Sequence, residues 1–127
     1  LTNIARPNVC VITNIGTSHI GNLGSRENIL KAKLEILEGM QEGGTIIINN
    51  DNDLLHTWAS ENKDKYNIVT YGIENKSDYM AYNIKNTEEN VSYNIDIKGK
   101  KYNVNVPVSG MPFVYNSLSA IAVRRCL

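Results

Sequence analysis

The sequence is short of cysteine, of net charge and of long apolar runs, and each shortage removes a class of function. Its 2 cysteines, Cys10 in an apolar stretch and Cys126 near the end, give neither metal-ligand spacing nor a disulfide framework. A reducing compartment follows, and a cytoplasmic location is expected. The 13 Lys and Arg are matched by 13 Asp and Glu, for a formal net charge of zero. With basic clusters only at Lys98–Lys101 and Arg124–Arg125, a nucleic-acid partner is not expected. No apolar run reaches the roughly 20 residues needed to cross a bilayer, so no membrane span is expected either. Internal repeats and low-complexity segments are missing as well. The chain opens on Leu1 without a methionine or a signal-peptide pattern, which raises the expectation of a piece of something longer. Its 127 residues have the size of one domain with a real core.

What is present alternates between strand and helix patterns. Val9-Cys-Val-Ile12 is a short apolar run with β-branched residues, the pattern of a strand buried on both faces. Gly43-Gly44 precedes a second such run, Thr45-Ile-Ile-Ile48, which ends in the polar turn Asn49-Asn-Asp-Asn-Asp53. Asn and Asp there favour a turn with a helix cap, and Leu54–Asn62 reads as a short helix containing Trp58. Ile68-Val-Thr-Tyr71, closed by Gly72, is a third strand. This order implies right-handed crossovers and a parallel sheet. From Ser77 the pattern changes: Tyr79–Ile84, Val91–Ile97 and Tyr102–Val106 alternate apolar and polar residues, as in an antiparallel meander with one wet face. Asn86–Asn90 and Lys98–Lys101 read as its turns, Pro107–Pro112 as a connector, and Phe113–Leu127 as a helix. The expected layout is an α/β portion over 1–76, antiparallel strands over 77–107 and a helix over 112–127.

Between the first two strands lies the segment with the most chemistry, Asn14 to Met40. Residues 14–24 form a loop at the carboxyl end of the first strand, where ligands collect in open α/β sheets. His19 sits in it, either as a solvated side chain or as a metal ligand. Ser25 can cap a helix whose first turn holds Glu27, so a helix is expected from Arg26 to Leu37 or Met40. At about 100° per residue, Lys31 falls between Glu27 and Glu35 on a solvated face, whereas Lys33 falls in the middle of the apolar side. Two readings of Lys33 are open. Its stem lies along apolar surface with the head in water, or it is a depressed-pKa amine facing a site as nucleophile, base or target of modification.

The segments Ala5-Arg-Pro-Asn-Val-Cys-Val-Ile-Thr-Asn-Ile-Gly-Thr-Ser-His19 and Gly24-Ser-Arg-Glu-Asn-Ile-Leu-Lys-Ala-Lys-Leu-Glu-Ile36 closely resemble the central domain of the Mur ligases. Asn49–Asp53 and Val114-Tyr-Asn-Ser-Leu-Ser-Ala-Ile-Ala-Val123 extend the resemblance over nearly the whole chain. Among these ligases it looks most like the MurF type, which joins D-alanyl-D-alanine to a UDP-N-acetylmuramoyl tripeptide in peptidoglycan synthesis. The resemblance implies a mostly parallel, Rossmann-like sheet flanked by helices, with a small antiparallel meander. It implies ATP and magnesium as cofactors. The lysine matching Lys33 is carbamylated in these ligases and helps hold magnesium, the histidine matching His19 contacts a second magnesium, and the asparagine matching Asn116 reads adenine. The Asn50–Asp53 turn looks placed near the nucleotide too. Carbamate formation needs a neutral amine, which an apolar face favours.

Two departures accompany the resemblance. No Gly-x-x-x-x-Gly-Lys-Ser/Thr phosphate loop occurs, so the expectation is a fragment that does not turn over ATP alone. The family's Gly-x-His-Asn is replaced by Gly110-Met-Pro-Phe113, with Pro112 at the histidine position. The alternatives are a relative such as folylpolyglutamate synthase or cyanophycin synthetase, and a non-catalytic α/β binding module that lost the phosphate loop.

Overall fold

The computed structural model describes residues 9–13, 26–35 and 43–126. Along them run β1 (Val9–Ile12), α1 (Arg26–Leu34), β2 (Thr45–Asn49), α2 (Asp53–Asn62), β3 (Asn67–Gly72), β4 (Tyr79–Asn86), β5 (Val91–Ile97), β6 (Lys100–Val106) and α3 (Met111–Cys126). The strands make one 6-stranded sheet in sequence order. β1 to β4 are parallel, and β4 to β6 are antiparallel. The meander is therefore continuous with the parallel half, joined where Tyr71 pairs Tyr79 and Gly72 pairs Met80. No helix among the described residues is long and apolar enough to cross a membrane.

Successive side chains of a strand face opposite ways, and β2 divides the core on that basis. Ile46 and Ile48 join Cys10, Ile12, Leu55 and Ala59 under α1 and α2, while Ile47 joins Tyr71, Tyr93, Val114, Leu118 and Ala122 under α3. Ile46, Ile47 and Ile48 are each 0% exposed, and burying one such side chain is worth about 1.5–3 kcal/mol. α3 crosses from β1 to β6 and seals one face of both halves of the sheet.

Four expectations are corrected. β1 is fully buried on one face only: Cys10 and Ile12 are covered, whereas on the other face Val9 is half-buried against the α3 side of the core and Val11 is 36% exposed. Lys33 is exposed, as are Lys31 and Ala32. Among the described side chains of α1, Leu30 and Leu34 pack on the core, while Ala32, counted on the apolar side, is exposed. The connector stops at Gly110 and α3 begins at Met111, because Pro112 lies in the first helical turn, where a missing N–H breaks no helical bond. Finally, Lys100 and Lys101 belong to β6. The turn is Lys98-Gly99 alone, with φ of 52° and 79°, a backbone suited to the twist of a tight hairpin. The expected continuation of α1 toward Met40 lies outside the described residues, as does Leu127.

Candidate functional site

A cleft of about 570 Å³ opens at the carboxyl ends of the parallel strands, lined by Thr13 after β1, Asn49, Asp51 and Asn52 after β2, and Tyr71 of β3. Its other wall is the start of α3, with Met111, Pro112, Tyr115 and Asn116. That volume suits a small molecule, and the carboxyl edge of an open α/β sheet is where such ligands bind.

The polar turn after β2 holds this edge together. Asn49 Nδ2 donates to the Thr13 carbonyl at 3.1 Å, tying the end of β1 to β2, and its Oδ1 accepts from the Asp51 amide at 3.0 Å. Asn52 caps α2 by accepting from the Leu55 amide at 3.2 Å. Asp51 turns toward the β3–β4 loop. Its Oδ2 accepts from the Ile73 amide at 2.6 Å and its Oδ1 from the Asn75 amide at 2.8 Å, with the Glu74 amide between them at 3.1 and 3.2 Å. Tyr115 donates to the same Oδ2 at 2.8 Å across 64 residues of sequence. Burial pushes the Asp51 carboxyl up, but these donors outweigh it and hold the group below its ordinary 3.8. Conversely, burial and then the Asp51 charge hold the Tyr115 hydroxyl far above its ordinary value, so it stays a donor. Tyr71 is 1% exposed and its hydroxyl has no hydrogen-bond partner among the described residues; burial raises it to about 12.

Of the four expected site residues, Asn116 lies on the cleft, exposed, and its side-chain amide has no partner among the described residues. Asn50 is 6% exposed and both ends of its amide are engaged within the protein. Nδ2 donates to the Lys76 carbonyl at 3.0 Å and Oδ1 accepts from His56 Nδ1 at 2.9 Å. Lys33 stands on a second, shallower cleft of about 340 Å³, lined with it by Ala32 and Cys10 to Thr13. Thr13 is common to both clefts, so the end of β1 separates Lys33 from the larger one. His19 lies outside the described residues. Among the described residues no three His, Cys, Asp or Glu come together as a metal site. Asp51, the carboxylate on the cleft, has its oxygens taken by N–H and O–H donors, and an unmodified lysine offers magnesium no oxygen. These side chains alone therefore do not fit a magnesium shell.

Sequence reasoning placed Asp51 in a turn near the nucleotide but missed its role as an acceptor for the β3–β4 loop, and it missed Gly72, Tyr71 and Tyr115. A Cβ on Gly72 would stand 2.8 Å from Asp51 Oδ1 and 3.1 Å from Ser77 Oγ. The available signal was a glycine closing an apolar strand opposite an Asx-rich turn.

The Mur ligase middle domain family matches residues 1–124. The chain belongs to the Mur ligase family. A UDP-N-acetylmuramoyl-tripeptide–D-alanyl-D-alanine ligase of Bacillus subtilis is 43% identical over 81 residues, which cover 63% of this chain and 16% of that relative. The crystal structure of MurF from Acinetobacter baumannii matches 98% of this chain and 27% of its own, at a TM-score of 0.86 and 26% identity. A MurF ligase from Thermotoga maritima, solved in complex with ADP, shares the fold at a TM-score of 0.81 and 23% identity over 96% of this chain and 28% of its own. Thus the chain spans a small part of the Mur ligases it resembles, with the cleft inside that part. Where the family's histidine is expected, Pro112 forms part of the cleft wall.

Proposed function

We propose that this chain is the later part of the central, nucleotide-binding domain of a cytoplasmic ATP-dependent amide ligase of the MurF type. The observation that carries this reading is the family match over residues 1–124 together with a cleft of ligand size at the carboxyl edge of the sheet. The name of the Bacillus relative supplies the substrates, a UDP-N-acetylmuramoyl tripeptide and D-alanyl-D-alanine. The ADP complex of the Thermotoga neighbour supports the nucleotide. Nucleic acid and membrane have no part in it.

In this reading the exposed Asn116 amide pairs its donor and acceptor with the adenine edge, while Met111 and Pro112 offer the base an apolar wall. Asn50 serves from behind, holding the turn that presents Asn49, Asp51 and Asn52. The tripeptide carboxylate takes the γ-phosphoryl group of ATP, releasing ADP. The amino group of D-alanyl-D-alanine then attacks the acyl carbon, loses its proton and expels phosphate as the amide forms. Magnesium, when bound, neutralises phosphate charge. The residues proposed to hold it are Lys33, once carbamylated, and His19.

The test is a ligase assay on the full-length protein, wild type against Lys33→Ala, with and without an added short-chain carboxylic acid. Loss of activity that the acid partly restores is expected. Unchanged activity would reduce Lys33 to an exposed side chain with its head in water. An inactive wild type would favour a non-catalytic module.

A further inference from the structure

We infer that Asp51 and Tyr115 form a latch that sets where Asn116 sits over the cleft, making both of them positioning residues for nucleotide binding. The inference deepens the nucleotide reading of the cleft and rests on it.

Three elements that are distant in sequence meet at one carboxylate. Asp51 leaves the end of β2, and the amides of Ile73, Glu74 and Asn75 arrive from the β3–β4 loop. Among the described residues Tyr115 is the one side chain that donates to it, and it comes from α3. The amides fix the carboxylate against the sheet, because three successive N–H groups converging on one anion leave it little freedom. Close approach at Gly72 keeps that geometry tight. Asp51 is therefore a fixed point on the sheet side of the cleft.

α3 meets the sheet beside that point. Val114, Leu118 and Ala122, each 0% exposed, seat the helix on the sheet. They lie on one stripe, flanked by Tyr115, Val123 and Cys126 against the same core, which leaves the helix only a small roll about its axis. Tyr115 and Asn116 follow Val114 at about 100° per residue, so roll moves Asn116 across the cleft mouth. The hydrogen bond from Tyr115 to Asp51 joins helix and sheet at the cleft-side edge of that packing and opposes the roll. A second polar tie, Tyr93 to Ser117 at 2.6 Å, flanks Asn116 on its other side, away from the cleft lining. The latch is thus the one of the two flanking restraints that stands on the cleft, and it has the strength of a hydrogen bond to a charged acceptor.

Tyr115→Phe in the full-length protein removes one hydroxyl and keeps the ring. ADP binding measured by titration calorimetry should weaken about 3- to 10-fold, the size of coupling expected between residues sharing a restraint. KM for ATP should rise in step while KM for the UDP-linked peptide stays put. Asn116→Ala weakens ADP binding too, and the double variant should weaken it less than the sum of the two. Wild-type affinity in Tyr115→Phe, a lower melting temperature with unchanged affinity, or a strictly additive double variant would each overturn the latch. Absence of ADP binding by the wild type would instead remove the nucleotide reading, and the latch with it.

Discussion

Changing Asp51 to Asn keeps the size of the side chain and removes its charge and one of its two acceptors. In the structure Oδ2 serves Ile73 and Tyr115, Oδ1 serves Asn75, and Glu74 is shared. An amide oxygen placed at Oδ2 keeps Ile73 and Tyr115, but its NH2 then faces the Asn75 N–H, donor against donor. One unmet backbone donor costs about 1–3 kcal/mol, and the bonds that remain lose their charge assistance. Asp51 is only partly buried, and water reaching the loop places the total at about 2–3 kcal/mol. For a domain of this kind that is a fall of about 4–10 °C in melting temperature. The pH dependence separates charge from shape. The folded carboxyl is held below its ordinary 3.8, so its stabilisation is complete above the unfolded value and disappears as pH falls through the folded one. Melting followed by circular dichroism should show a constant gap between wild type and Asp51→Asn from pH 5 to 7 that closes below about pH 4. A gap under 1 °C at neutral pH, or one that persists undiminished in acid, would refute the reasoning.

Gly72→Ala tests the same junction without touching charge. The added Cβ would stand 2.8 Å from an Asp51 oxygen already held by backbone amides, so overpacking of about 1–3 kcal/mol is expected, and a wild-type urea midpoint would contradict it. Tyr71→Phe should be neutral or stabilising by up to about 1 kcal/mol, since the hydroxyl is buried without a hydrogen-bond partner among the described residues. The wild type should also lose stability on raising the pH from about 10 toward 12, because a phenol whose folded pKa is raised to about 12 favours the fold only while neutral. Tyr71→Phe should lose less over that interval, and a marked loss of stability at pH 7 would reveal a partner for the hydroxyl.

The elements were most legible where a pattern met no competing signal. β1 (Val9–Ile12) and β5 (Val91–Ile97) have the bounds that the apolar run and the alternation give. β2, β3 and β4 run on through Asn49, Gly72 and Asn86, residues that read as turn formers, because pairing with a neighbouring strand overrides local preference. The join between β3 and β4 was not legible, for it consists of two residue pairs with no periodicity of their own. Lys33 shows the limit of a helical wheel. The wheel counts every apolar residue on one side, whereas among the described side chains Leu30 and Leu34 reach the core and Ala32 and Lys33 between them are exposed.

Asp51 was hidden for a different reason. Its sequence context marks a turn and a cap, and its neighbour Asn52 does cap α2. The carboxylate itself answers to the amides of residues 73–75, and a backbone amide carries no side-chain signature to search for. The tyrosine that completes the junction lies 64 residues away, beside the asparagine to which the family resemblance assigns the adenine. Asn116 was singled out because a side-chain amide can recognise a ligand. Asp51 stayed hidden because it answers to main chain, which every sequence offers alike, and Tyr115 because its partner lies 64 residues away.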